Sequence, residues 1–213
     1  MKLEKPRIPA APEPAELLAA VRHAREQVED VAGRLFRSQE LDRDELSEVE
    51  FRGCVFENCR LTGVIFERVD FTDVEFRDCD LSGVNWQRCG TQRCVLRNCK
   101  AAGGDFSGTK LRHFQAENCR MPYANFSGVI CRPAAFIGCV LENGMFLESA
   151  LSGAVLRDCD LTGCNFMRTP LAGIDLTTDR IEGLLLTGGE LKDAMVNMEQ
   201  AANLAKLLGL KIV

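Results

Sequence analysis

Eleven cysteines, two histidines and a scatter of aspartates are the residues of this chain that could carry chemistry. Thiolates and imidazoles could hold zinc, and a thiol or carboxylate beside a histidine could act as a nucleophile or base. Neither arrangement is present in the sequence. There is no CxxC pair and no histidine adjacent to a cysteine. His23 lies near the N-terminus and His113 is isolated, so neither completes a triad. Asp70, Asp80 and Asp160 recur at equivalent places and read as turn residues on the outside of the fold. Gly53, Gly63, Gly83, Gly153 and Gly163 read as turn glycines, not as a phosphate cradle. No P-loop or dinucleotide fingerprint occurs. No catalytic residue, metal ligand or cofactor is expected, and hence no enzyme.

Composition narrows the class further. The 213 residues carry 26 Lys and Arg against 31 Asp and Glu, a net charge of −5. With 46% apolar residues the chain folds, and its length suits one medium domain or two small ones. Dispersed charge of slightly acidic balance makes a poor direct binder of nucleic acid. A single Tyr and a single Trp argue against a base-stacking platform. No apolar run is long enough to span a membrane, and the opening MKLEKPRIPAAPEPAE lacks a signal-peptide core. A cytoplasmic location, with no membrane partner, is the expectation.

The elements that must position these residues follow a period of five. From Leu46 the chain reads LSEVE, FRGCV, FENCR, LTGVI, FERVD, FTDVE, FRDCD, each unit opening on Leu or Phe. The phase runs without insertion to Val196, thirty-one units, with weak leaders only at positions such as Thr91, Ala101, Ala116 and Cys131. A second apolar column lies two residues before each leader: Val49, Cys54, Cys59, Val64, Val69 and onward. Neither a helix nor a simple strand produces this pattern. Two inward and three outward residues per unit describe one side of a square coil, with four units to a turn. Such coils stack at the strand spacing of about 4.8 Å into a rod roughly 37 Å long. Ten of the eleven cysteines fall on the small inward column. Six of them, from Cys59 to Cys159, line one side at a spacing of twenty. A line of thiols makes no tetrahedron, so these cysteines read as small packed apolar residues. Residues 46, 66, 86, 106, 126, 146, 166 and 186 form a mostly aromatic ladder.

The units CDLSG at 79–83, CDLTG at 159–163 and CNFMR at 164–168 resemble the A(D/N)LXX unit of the pentapeptide repeat family. That resemblance implies an all-β solenoid, a right-handed quadrilateral β-helix, with N- and C-terminal helical segments. The expected layout is a Pro-rich lead over 1–14, a helical cap over 15–40, the β-helix over 41–196, and a C-terminal helix and tail over 197–213. Within the cap, Leu17, Val21, Ala24, Val28, Val31 and Leu35 predict an amphipathic helix over 15–36. It would cap the rod or hold a partner. At the other end Asn197 and Gln200 form a capping-box pattern for a helix over 197–208, with Gly209 as its stop. That helix is more apolar than one buried face requires, which predicts a homodimer. The tail 210–213 has strand character.

Residues twenty apart share a side, which sorts the surface. The side led by Phe56 and Phe76 carries Glu57, Glu75, Asp78, Glu117, Asp158 and Asp175 against Arg77, Arg97 and Arg157, a net of −3. Glu67 to Asp80 forms an acidic belt, whereas 81–140 carries eight Lys and Arg against Asp105 and Glu117. Outward Ile137, Met145, Leu147 and Met167 are expected to gather into an apolar patch.

The ending VNMEQAANLAKLLGLKIV at 196–213 is similar to that of Qnr-type quinolone-resistance proteins, most of all the chromosomal ones of Gram-positive bacteria. This implies a rod-shaped dimer that mimics duplex DNA, binds DNA gyrase or topoisomerase IV, and inhibits it or protects it from quinolones. Glu75, Asp78, Glu117 and Asp158 are then the candidate contacts, and Met198, Leu204, Leu207 and Leu208 the dimer residues. The alternative is an interaction scaffold with no topoisomerase role, using the apolar patch and the N-terminal helix.

Overall fold

The structure is a computed structural model, described for residues 2–207 and 209–211. Its framework is a parallel β-solenoid in which each strand pairs with residues twenty further on: Phe36 with Phe56, Phe56 with Phe76, Leu96 with Ala116, Phe136 with Leu156. Successive backbone groups close the stack. Phe66 N donates to Asn85 O at 2.9 Å, and Asn85 N returns to Val64 O at 2.9 Å. Among the described residues these pairings build an eight-stranded, a six-stranded and a two-stranded sheet. Single bridges such as Asp80 to Lys100 and Lys100 to Arg120 carry the same register where strands lapse. The four sides are numbered here by their leaders in one coil: first Phe51, second Phe56, third Leu61, fourth Phe66.

Both inward columns are buried through the regular coils, Ala154 alone among them being half-buried. On the fourth side Phe106, Phe126, Phe146 and Phe166 stack face to face at 4.9–5.0 Å, as the ladder predicts. Trp86 interrupts it: the indole meets Phe66 and Phe106 edge-on and stacks on Phe71 of the first side at 4.6 Å. A square corner requires a left-handed residue two places after most leaders, and the chain supplies it even with Arg43, Glu48, Arg88 and Tyr123 at φ between 54° and 59°. Each such residue costs roughly 1–2 kcal/mol in isolation, which the stacked hydrogen bonds and core must offset.

The same geometry sets outward charges opposite one another on neighbouring coils. Arg37 pairs with Glu57, Glu40 with Arg60, Glu48 with Arg68, Asp73 with Arg93, Arg97 with Glu117, Glu148 with Arg168 and Asp160 with Arg180. Seven rungs therefore join residues twenty apart.

The N-terminus differs from the expected helix over 15–36. The helix α1 spans only Leu17–Gln27, and Val28, at φ 56°, caps it with bonds to Ala24 O and Arg25 O. Strands follow at Val31–Ala32 and Arg34–Arg37. Val31, Phe36 and Leu41 are leaders of the same five-residue phase, so the coil starts upstream of Leu46. The helix-like spacing of Val28, Val31 and Leu35 is a coincidence of residue type: only Val31 takes an inward position, while Val28 is exposed at a left-handed corner and Leu35 is half-buried beside the leader Phe36. Leu17, Val21 and Ala24 bury against the first coil, so α1 caps the rod. Glu13–Pro14 adds a parallel strand beside Arg34 and Leu35. The remaining lead runs back along the outside. Pro9 packs over Gly53, where a Cβ would sit 3.2 Å from Pro9 Cδ; Arg7 N donates to Asp73 Oδ1 at 2.9 Å and Glu4 N to His113 Nδ1 at 3.2 Å.

At the far end the coil loosens. Gly189–Leu191 form a 3-10 turn, and Leu186, Leu191 and Val196 are only half-buried. The helix α2, Met198–Leu207, then crosses the last coil. Its capping box forms as expected: Gln200 N donates to Asn197 Oδ1 at 2.9 Å and Asn197 N to Gln200 Oε1 at 2.8 Å. Leu210 and Lys211 carry no strand, and residues 212 and 213 lie outside the described residues.

Phe126 sits mid-stack between two parallel rings. Phe126→Ala is expected to lower unfolding free energy by about 3–5 kcal/mol, read from the midpoint of urea denaturation followed by circular dichroism.

Candidate partner-binding surfaces

The cysteine column is packing, with one addition that the sequence reading missed. All eleven thiols are free and buried. The inward-column thiols donate to a leader carbonyl of the coil before: Cys54 to Val31 O at 3.1 Å, Cys94 to Phe71 O at 3.2 Å, Cys164 to Leu141 O at 3.0 Å. Thr109 and Ser149 take the same role with hydroxyls, to Trp86 O and Phe126 O at 2.9 Å. The signal was present in the sequence, since a purely apolar column would not accept Thr109, Ser149 and Thr169 beside Cys and Val. Among the described residues no group of three or more His, Cys, Asp or Glu is placed to hold a metal ion. Burial pushes the thiols of Cys89, Cys94, Cys131 and Cys164 up to about 12, so at neutral pH they carry no reactive thiolate.

The second side carries the four acidic contact candidates, and the structure separates them. Glu75 is buried, held by Arg77 at 2.6 Å and Arg97 at 2.5 Å, beside Pro6, Ile8 and Pro9 of the lead. It is not a surface contact, because the lead lies alongside it and two guanidiniums neutralise it. Glu117 is half-buried and takes Arg97 at 2.6 Å and Gln115 at 2.5 Å. Asp78 and Asp158 are exposed at left-handed corners, four coils apart, or about 19 Å by the strand spacing. Asp78 accepts from Asn98 Nδ2 at 3.1 Å. The earlier start of the coil adds Arg37 to this side, and Arg34 with its partner Glu13 on the strand beside it, so five arginines face seven acids and the net is −2, not −3. The acidic belt is partly spent in the same way: Arg93 grips Asp73 bidentately at 2.5 and 2.8 Å.

The expected apolar patch is two surfaces. Ile137 lies on the second side, whereas Met145, Leu147 and Met167 lie on the fourth, opposite it, because ten residues are half a turn. Met145 and Met167 are exposed, and Leu185 extends them toward the C-terminal end. There the last coil and α2 enclose an apolar cavity of about 410 Å³, lined by Leu186, Leu191, Val196, Ala201, Leu204 and Leu207. Of the dimer candidates, Met198 is exposed beside the helix start, Leu204 is half-buried and Leu207 is exposed; Leu208 lies outside the described residues.

Beneath α2, Asp179 occupies the inward position where the column elsewhere holds Cys59 to Cys159. Its Oδ1 accepts from Cys159 N at 2.7 Å, and its Oδ2 has no partner among the described residues. Gln200 of α2 bonds the carbonyls of Leu176 and Asp179 at 2.7 and 2.8 Å. Burial, with Asp158 and Asp175 nearby, pushes Asp179 up to about 6.

Two family models match the chain: "Pentapeptide repeat region" over residues 69–143, and "Pentapeptide repeats (8 copies)" over 45–85 and 134–171. Among solved structures, two trypsin-treated forms of QnrB1, a plasmid-mediated fluoroquinolone resistance protein, are 19% identical with TM-scores of 0.39 and 0.40. Those alignments cover 85% and 84% of this chain and 99% and 97% of the other. HetL, a pentapeptide repeat protein involved in heterocyst differentiation regulation from the cyanobacterium Nostoc sp. strain PCC 7120, is 16% identical with a TM-score of 0.36, covering 85% of this chain and 94% of its own. Among curated proteins none matches the chain in sequence. No helix of the described residues is long and apolar enough to cross a membrane.

Two pH responses follow. Asp179 ionises near 3.8 when unfolded and near 6 when folded, so stability present below pH 4 is lost as pH rises through 6. Asp179→Asn is expected to stabilise the protein by roughly 1–3 kcal/mol at pH 7.5 and by nothing at pH 4, measured by urea unfolding at both. For the four thiols, the unfolded forms ionise near 9 and the folded ones near 12. Each should cost about 1.4 kcal/mol per pH unit across that window, giving alkaline unfolding that Cys94→Ala moves to higher pH.

Proposed function

We propose that this chain, which belongs to the pentapeptide repeat family, is a non-catalytic cytoplasmic rod that pairs with a second copy through its C-terminal end and binds DNA gyrase or topoisomerase IV, inhibiting it or protecting it from quinolones. The observation that carries this reading is the apolar cavity between the last coil and α2, with Leu207 left open at its rim. A helix that only sealed the coil would bury its apolar face fully; this one leaves part of it for another surface. The segment that builds it is the one whose sequence resembles the Qnr-type ending. A two-fold pairing of identical ends closes without forming fibres.

Gyrase binding on this reading depends on the shape of the rod more than on its charge. B-DNA carries one charge per about 1.7 Å, roughly twenty over a rod of this length. The second side offers a net of −2, and arginines hold Glu75 and Glu117. Its exposed acids are Asp78, Asp158 and Asp175. That pairing favours a second reading, a scaffold that grips a protein other than a topoisomerase through the fourth-side strip of Met145, Met167 and Leu185.

The two readings separate in a supercoiling assay with purified gyrase, with and without ciprofloxacin. The first expects dose-dependent inhibition or drug rescue, reduced at least fivefold when Asp78 and Asp158 are both changed to Lys. No effect at any concentration of folded protein leaves the scaffold. Leu207→Asp is expected to convert a dimer to a monomer in sedimentation equilibrium with the β-sheet spectrum unchanged; an unaltered mass would remove the C-terminal pairing.

A further inference from the structure

The ion-pair rungs that join neighbouring coils fail over the middle coils, on two opposite sides. On the first side Arg112 and Arg132 are twenty apart, and on the third Lys100 bridges directly to Arg120, so like charges stand opposite each other. Like charges facing across strands destabilise a sheet. None of Arg88, Lys110, Arg112 and Arg132 makes an ion pair within the described residues. All four side chains are exposed. Between them Gly90 leaves out a side chain, which opens a notch of about 300 Å³ floored by the strand and walled by Arg88, Lys110 and Arg112. Asp70 closes the notch at one end, its Oδ1 accepting from Gly90 N at 2.8 Å.

We infer that the first side of the rod, from Gly90 to Arg132, is a docking surface for an extended acidic segment of a protein partner, whose carboxylates supply the rungs this chain omits. Charge complementarity selects an anion, and size selects its kind. The four cations span two to three coils, about 10–14 Å by the strand spacing. Glu50 and Asp70 bound the surface on one side, where the next phosphates of a duplex would meet repulsion. A short peptide fits between these limits. The chain itself displays the binding mode at the adjoining corner. Its own lead lies there extended along the rod axis, with the Glu4 backbone N–H on His113 Nδ1 and the Glu4 carboxylate 3.7 Å from His113 Nε2. The stacked sides thus already receive one extended segment, and the neighbouring side presents unmatched positive charge to a second. The dimer end and the acidic side take no part in this surface.

The test uses the full chain and a fluorescein-labelled hexaglutamate peptide, read by fluorescence anisotropy at low salt and at 300 mM salt. The peptide is expected to bind at low salt and to be released at high salt. Arg132→Glu should weaken binding at least tenfold, while Arg157→Glu, on the second side, changes it less than twofold. In the free protein Arg132→Glu should also raise the thermal midpoint, because Arg112 gains an opposite charge; this readout shows that the variant folds. Absence of peptide binding, equal binding by Arg132→Glu, or a lowered midpoint overturns the proposal. So does displacement of the peptide by a 20-base-pair duplex at lower concentration than by unlabelled hexaglutamate, which would make the partner a nucleic acid.

Discussion

Backbone hydrogen bonding between residues twenty apart is the constraint on which the rest of this protein depends. A single coil has no core of its own and leaves both strand edges open. Stacking supplies what it lacks: each N–H and C=O finds its partner on a neighbouring coil, and each inward ring lies on the ring below. The left-handed corners at Arg88 or Tyr123 are tolerated for this reason. Both ends of the stack need covers, and the chain provides α1 with the Glu13–Pro14 strand at one and α2 with its capping box at the other.

The same register governs the outside. Opposite charges facing each other on adjacent coils cancel into rungs, so the charge of a side is not the count of its acids. Glu75 illustrates the difference. Its position in the repeat is outward, yet two arginines and the returning lead bury it. Surface available to a partner is therefore concentrated where the rungs stop or the helix cap falls short. These places are the corners at Asp78 and Asp158, the cations around Gly90, and the apolar rim of α2.

The inward small column shows how a packing position acquires a polar duty. The carbonyl of a leader points toward the corner, and a thiol or hydroxyl on the next coil can donate to it while its bulk fills the core. Cys serves both needs, as do Thr109 and Ser149. Asp179 continues that column where the coil is about to end, and keeps one oxygen unsatisfied beneath α2.

The repeat was legible in the sequence to a large degree. The inward columns, the aromatic ladder and the buried cysteines follow from residue type and a spacing of five or twenty, because a strict period imposes the same local geometry on every unit; the capping box at Asn197 follows from a local pattern of its own, three residues apart. The start of the coil was less legible. Val28, Val31 and Leu35 fit a helical spacing, but only Val31 fits the repeat; the left-handed turn at Val28 ends the helix, and Phe36 in place of Leu35 is the next inward residue. The candidate surfaces were the least legible. That Ile137 stands opposite Leu147 could have been counted from the period, but the path of residues 2–12 over Glu75 and Asp73 has no periodic signal. Nor does the cavity left between Leu186 and Leu207, which depends on how α2 settles on a loosened last coil. Periodic residues by themselves determined the solenoid and its core; the accessible face of that solenoid was decided by non-repeating segments, whose contacts lie far apart in sequence and exist only once the chain has folded.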